Sequence, residues 1–310
     1  MNTDELNELK NRIDNNPEDY EAVELYAMAL SDTGENKEAL KYLKMLKGKF
    51  PENARIYYNI GIILEKLKMN EDAVCAYTKA HELDENDTDF MFNLASALIK
   101  VNKLDDAEKL FLKVIETDTE DENAYFHLGE IYTRKKDAEK AVKYLSRAVE
   151  LDNNDTIAKF YLAYQYKRTG DISKAVQLYN EVTEQNPDYS WAYFNLASIY
   201  TEQGEEDKAA FYLEKTLKTN PMDLKALKLL VKLLVKQKKY ADAEELINQK
   251  LSDMPDEADL YYLLAGIYKK LENKKEYFKF LMLADKNKLT FSGDEAKLEK
   301  EIEDIKNEGS

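Results

Sequence analysis

Residues 187–221 read PDYSWAYFNLASIYTEQGEEDKAAFYLEKTLKTNP, and the fold turns on this stretch. Apolar residues recur at helical spacing on both sides of Gly204, and a proline stands at either end. Proline cannot continue a helix, and glycine readily takes the left-handed conformation that ends one. The stretch is therefore predicted to be two amphipathic helices joined by a tight turn. Pro187 and Pro221 lie 34 residues apart, and all five prolines, Pro17, Pro51, Pro187, Pro221 and Pro255, fall on that one lattice.

Carried outward, the lattice yields eight units starting at Tyr20, Ala54, Thr88, Glu122, Thr156, Ser190, Leu224 and Ala258, without insertion or deletion. Position 8 of the unit is small in seven of them: Ala27, Gly61, Ala95, Gly129, Ala163, Ala197 and Ala265, with Val231 the exception. Position 20 is alanine from Ala39 through Ala243, and only the last unit departs, with Tyr277. Position 24 is always large and apolar: Leu43, Tyr77, Phe111, Leu145, Tyr179, Leu213, Ile247 and Leu281. Small residues at 8 and 20 let two helices approach closely, and the large residue at 24 fills the remaining space. Gly34, Gly170 and Gly204 occupy position 15, where a left-handed residue ends the first helix. No such hairpin buries its apolar face alone, whereas stacked neighbours do.

This pattern resembles the tetratricopeptide repeat: small at 8, aromatic or Leu at 11, Ala at 20, large at 24 and Pro at 32, every 34 residues. The resemblance runs from a half-unit near Leu6 to about Lys288. The departures are Glu85, Thr119 and Asn153 at position 32 and the lack of a tryptophan at position 4. The resemblance implies an all-α fold, a right-handed superhelical α-solenoid of stacked antiparallel helix hairpins. Residues 1–19 are expected to be a half-repeat helix with Leu6, Leu9 and Ile13 on one face, and Glu5 suits a frayed or exposed first helix. Residues 20–291 hold the eight units. Residues 292–310 are expected to form a capping helix and tail, opened by Ser292 and Glu295 at capping-box spacing and buried through Leu298, Ile302 and Ile305.

Composition narrows the function. A net charge of −16 argues against nucleic-acid binding through the overall field. One cysteine, Cys75, allows no disulfide framework and no thiol metal cluster. The N-terminal MNTDELNELK is acidic without an apolar run, unlike a signal peptide, and no stretch approaches the ~20 apolar residues of a membrane span. A cytoplasmic protein is expected. No Gly-rich phosphate loop, Gly-x-Ser-x-Gly or His-Glu-x-x-His occurs. His81 and His127 stand in different units, and His81 is expected to be solvated or capping at a helix end. Asp105–Asp106 and Glu205–Glu206 suit helix N-termini without a metal. The chain is expected to be non-catalytic, with no cofactor and no metal.

Positions 2, 5, 9 and 13 form a stripe roughly opposite the core stripe of the first helix. In the family resembled, this face lines an inner groove that holds extended peptides or partner helices. Position 5 carries Tyr58, Phe92, Phe126, Phe160 and Phe194 in succession, which suits packing between neighbouring helices or a row of anchors for a ligand. Position 6 carries Asn59, Asn93 and Asn195, whose amides could pair with a peptide backbone. Position 13 is basic in six units, from Lys66 to Lys270, as a helix C-terminus favours anyway.

Residues 224–239 differ from the rest. They read LKALKLLVKLLVKQKK, six lysines and no acid, with Lys225, Lys228, Lys232 and Lys236 at positions 2, 5, 9 and 13. Trp191, Phe194 and Tyr262 flank them. The plain reading is a solvated face balanced by Glu202 and Asp259. The sharper one is a docking site for an acidic peptide, a C-terminal carboxylate or a phosphorylated segment. Family members that clamp a chaperone's C-terminal tail use five residues. Asn195 and Lys225 match that set, whereas Phe160, Tyr164 and Leu229 do not, so this partner is not predicted. The expected function is a protein-interaction scaffold or adaptor binding an extended or acidic peptide. The alternatives are a receptor for a small peptide or anionic ligand, and a structural assembly subunit. Lys225→Glu with Lys228→Glu is expected to abolish partner capture without unfolding the array.

Overall fold

The computed structural model describes residues 3–308; the outermost residues of both expected terminal segments, Met1–Asn2 and Gly309–Ser310, lie outside the described residues. Among the described residues the chain is all helix, with no strand. A first helix, α1 (Thr3–Asn15), precedes eight antiparallel pairs. The pairs are α2 (Tyr20–Asp32) with α3 (Asn36–Lys49), α4 (Ala54–Lys66) with α5 (Asn70–Leu83), and α6 (Thr88–Lys100) with α7 (Leu104–Thr117). Next come α8 (Glu122–Arg134) with α9 (Ala138–Leu151) and α10 (Thr156–Thr169) with α11 (Ile172–Gln185). The last three are α12 (Ser190–Gln203) with α13 (Glu206–Thr219), α14 (Leu224–Lys236) with α15 (Tyr240–Asp253), and α16 (Ala258–Lys270) with α17 (Lys274–Lys286). A 3-10 turn at Lys288–Thr290 leads to α18 (Glu295–Glu308). The first helix of every pair begins on the 34-residue lattice, and the fold is an α-solenoid of helix hairpins. Two compact units can be separated, Met1–Ala175 and Val176–Ser310, with the division falling inside α11.

Each hairpin closes as the volumes at positions 8, 20 and 24 require. The alanines at position 20, from Ala39 to Ala243, have no exposed surface, and neither have the eight large residues from Leu43 to Leu281 at position 24. The contact is tight enough to exclude a methyl group in two pairs. A Cβ at Gly61 would fall 2.5 Å from the Tyr77 ring, and one at Gly129 would fall 2.4 Å from Leu145 Cγ. At position 7, Tyr26 is only half-buried, while Leu128, Leu196 and Leu264 are fully enclosed.

Helix ends follow a period that the prolines do not reveal. The residue before most first helices is Asp or Asn, and the side chains of Asp19, Asn53, Asp87, Asp121, Asp155 and Asp223 accept backbone N–H bonds from the first turn. At position 15 the chain is left-handed in all eight pairs. Gly34, Gly170 and Gly204 do this without penalty, as expected, but Lys68, Asn102, Lys136, Lys238 and Glu272 are held at φ of 56–63°.

The terminal helices cover apolar surface. Leu9 and Ile13 of α1 join the core of the first unit, so that helix is docked rather than frayed along its length, although Glu5 is exposed. Leu298 and Ile302 of α18 pack on Tyr277, Leu281 and Ala284. The capping box expected at Ser292 does not form: the Lys297 N–H donates to Asp294 Oδ1 at 3.2 Å, so Asp294 caps α18. Ser292 is left for a different contact, described next.

Candidate functional site

In the second unit, the segment after α17 straps across the start of α16. The Thr290 hydroxyl oxygen accepts the Ala258 N–H at 2.8 Å, capping α16 from 32 residues downstream where Glu257 makes no side-chain cap. Phe291 meets the Tyr262 ring edge-to-face at 5.2 Å. The Ser292 N–H donates to Asp259 Oδ1 at 3.3 Å, and Lys228 Nζ of α14 donates to both Asp259 Oδ2 and Ser292 Oγ at 2.7 Å. Asp259 is only 4% exposed, so Lys228 is the cation that makes its burial tolerable. Burial pushes the Glu257 carboxyl above its ordinary range, with the nearby Asp259 charge adding to the shift.

Between α14, α16 and this strap lies a cleft of about 460 Å³. Its walls are apolar: Val231 and Val235 from α14, Tyr262, Leu263 and Ile267 from α16, and Phe291 from the strap. Lys232 and Lys270, both exposed, stand in its lining, and neither forms an ion pair among the described residues. Gly266 completes the α16 side. An aqueous ammonium pair beside a non-polar hollow suits a ligand that is apolar at one point and anionic beside it.

The lysine row of residues 224–239 thus divides. Lys228 belongs to the buried pair with Asp259 while still lining the cleft, and Lys236 is paired with Glu206. Lys225 and Lys232 are exposed and unpaired among the described residues. The expectation that Lys225→Glu with Lys228→Glu leaves the fold intact is corrected: an acid at 228 would face the buried Asp259 carboxylate, a loss of roughly 3 kcal/mol or more. On α12, Trp191 is 58% exposed, Phe194 packs partly into the core, and the Asn195 amide donates to its own helix at the Trp191 carbonyl, 2.8 Å away.

In the first unit the aromatic row is half-buried, and each member packs against neighbouring rings outside the row. Tyr58 lies against Phe90 and Tyr77, at 5.0 and 5.8 Å between ring centroids. Phe92 packs edge-on to Phe111 and to His127, Phe126 to His127 and Tyr161, and Phe160 to Tyr161. This ladder occupies ring faces and edges with other rings, the packing alternative weighed for position 5. The asparagines are similarly engaged: Asn59 donates to Glu24 at 2.6 Å, and Asn93 to Tyr58 Oη and the Asp89 carbonyl. Basic residues at position 13 bind the preceding repeat, Lys66 to Ser31 and Asp32, Lys100 to Glu65, and Arg134 to the Ile99 carbonyl.

His127 contacts Glu130, whose carboxyl is held below its ordinary range by that hydrogen bond and by Arg134. His81, expected at a solvated end, is half-buried, with Nδ1 screened from solvent and without a hydrogen-bond partner among the described residues. Cys75 is exposed. No group of His, Cys, Asp or Glu among the described residues is arranged to hold a metal ion, and no helix is long and apolar enough to cross a membrane.

Tetratricopeptide repeat models match residues 54–87, 166–234 and 200–267, and the C-terminal ARM domain of tetratricopeptide repeat protein 21 matches residues 88–192. The chain is a tetratricopeptide repeat protein. Solved relatives agree with this repeat fold. The crystal structure of YrrB, described as a TPR protein with an unusual peptide-binding site, superposes with a TM-score of 0.52 at 26% identity, over 60% of this chain and 96% of that one. The crystal structure of MamA gives a TM-score of 0.50 at 25% identity over 54% and 97% of the two chains. PilF of Pseudomonas aeruginosa reaches a TM-score of 0.59 over 68% and 96%, but at 15% identity the likeness is one of fold alone. No curated protein matches the chain significantly. The tetratricopeptide fold supports a protein-interaction scaffold in general. The α14 side of the cleft and most of its α16 side lie within the 166–267 span of the repeat matches, and Lys270 and the strap lie beyond it.

Two features escape sequence reading. Lys270 is one of the basic residues at position 13 and flanks the lysine row, but spacing along the chain does not show that it stands unpaired over a cleft. The strap could not be anticipated either, since Thr290 and Ser292 find their partners 32 and 64 residues upstream through side-chain geometry.

Proposed function

We propose that this chain is a non-catalytic protein-interaction scaffold that holds an extended, acidic peptide segment against the face formed by α14 and α16. One observation carries the proposal: Lys225, Lys232 and Lys270 form no ion pair among the described residues on that face, in a chain whose net charge is −16. By contrast, the position-13 cations Lys66, Lys100 and Lys236 pair with carboxylates of the preceding repeat. Cations concentrated over an apolar cleft favour a partner with the complementary pattern, and electrostatic matching speeds its encounter. The peptide-binding description attached to YrrB supports a peptide as the ligand class.

The test is fluorescence anisotropy with a labelled acidic peptide and a neutral one of equal length. Each exposed contact contributes about 0.2–1 kcal/mol. Reversing two charges should therefore weaken binding roughly tenfold, and Lys225→Glu with Lys232→Glu is the variant to use. Wild type should bind the acidic peptide more tightly and lose affinity with salt. Equal affinity for both peptides, or a double variant that binds like wild type, would overturn the proposal.

A further inference from the structure

Gly266 is a helix-interior glycine that the fold does not require. It sits at position 9 of the last repeat, where the other seven carry side chains: Met28, Ile62, Ser96, Glu130, Tyr164, Ser198 and Lys232. Its φ is not left-handed, and a Cβ built on it meets nothing within 4 Å. Gly61 and Gly129 are different, because a Cβ there would strike Tyr77 or Leu145. Gly48 also has open space, but it lies in the last turn of α3, where a helix frays and a glycine costs little. In the interior of α16 a glycine lowers helix stability relative to alanine. Packing offers no return for that loss. The space it leaves opens into the α14–α16 cleft, between the apolar walls and beside Lys232 and Lys270.

We infer that Gly266 makes room for one bulky apolar side chain of the partner, so that the cleft selects acidic peptides in which such a side chain is flanked by carboxylates. This rests on the peptide reading above and makes it specific. The apolar side chain enters between Val231, Val235, Leu263 and Ile267, against Tyr262 and Phe291 of the strap. Its flanking carboxylates meet Lys232 and Lys270, which form no ion pair among the described residues. Asp259 does not repel them, since Lys228 already neutralises it. An aromatic or branched aliphatic group is the right size for a cleft of about 460 Å³, with the adjoining backbone filling the remainder.

Two fluorescein-labelled acidic peptides, identical except for a central Phe or Gly, provide the test against wild type, Gly266→Ala and Gly266→Leu. Wild type should bind the Phe peptide at least about tenfold more tightly than the Gly peptide, in keeping with burial of one aromatic side chain. Gly266→Leu fills the cleft and should erase that preference, so that the variant binds the two peptides alike. Gly266→Ala should keep most of it, and both variants should melt at or above the wild-type temperature, because each restores helix propensity. Equal binding of the two peptides by wild type, or a Phe preference that survives in Gly266→Leu, would overturn the inference while leaving the peptide reading in place. Failure of both peptides to bind would overturn the peptide reading and this inference with it.

Discussion

Replacing Gly61 with alanine would set a methyl carbon 2.5 Å from Cε1 and 2.6 Å from Cδ1 of Tyr77, well inside contact distance. Tyr77 cannot step aside easily. It has no exposed surface, Tyr58 packs against its ring at 5.8 Å, and its hydroxyl donates to Glu65 at 3.4 Å. Overpacking of this kind costs about 1–3 kcal/mol, and the gain in helix propensity returns about 1 kcal/mol. Gly61→Ala should therefore lose roughly 1 kcal/mol net. Gly266→Ala, with nothing within 4 Å of the new methyl group, should gain about 0.5–1 kcal/mol. Urea denaturation followed by far-UV circular dichroism compares the two, and the midpoints should move in opposite directions at similar slope. A Gly61→Ala midpoint at or above wild type, or a Gly266→Ala midpoint below it, would refute the argument that position 8 is set by the contact with position 24 and position 9 is not.

Further predictions concern the helix ends and the charges. Lys136 is held left-handed at φ 63°, so Lys136→Gly should raise stability by roughly 0.5–1 kcal/mol, measured as a rise in urea midpoint, and Asn102→Gly should gain less because asparagine tolerates that region. Asp121 caps α8 through the Ala124 N–H at 2.8 Å; Asp121→Ala should cost about 1 kcal/mol and Asp121→Asn much less, read from the same midpoints. The Glu130 carboxyl is held below its ordinary range by the hydrogen bond with His127 and by Arg134. A depressed carboxyl contributes stability above its unfolded pKa and loses it as pH falls through the lower folded value. Stability measured from about pH 7 down to about pH 3 should therefore converge between wild type and Glu130→Gln only at the acid end.

The repeat was legible because it is written in volumes. Alanine at position 20 and a large residue at 24 recur so regularly that the starts of α2 through α16 follow from counting, and burial of those positions follows from two helices having to touch. The candidate site was legible only in part. Six lysines in a row of sixteen residues are conspicuous, but which of them stays unpaired depends on the carboxylate that a neighbouring helix or the strap brings opposite. Asp259 takes Lys228, as a balanced lysine face requires, whereas Lys236 is taken by Glu206, which spacing marks only as one half of an acid pair. The aromatic row from Tyr58 to Phe160 looked equally able to bind or to pack, because ring-to-ring distances are not encoded in spacing along the chain. The Asp or Asn before most first helices forms a second period, which the prolines do not share in full. The left-handed lysines carried no compositional mark at all, since position 15 imposes its conformation on whatever residue stands there.

The central claim, that the α14–α16 face receives an acidic peptide bearing an apolar side chain, is tested most directly by methyl NMR of the full chain titrated with the Phe-containing acidic peptide. Val231, Val235, Leu263 and Ile267 line the cleft and should shift in proportion to occupancy, while Ile56, Ile63 and Leu128, buried in the first unit, should stay fixed. Saturable binding that leaves the four cleft methyl groups unmoved and shifts others would contradict it.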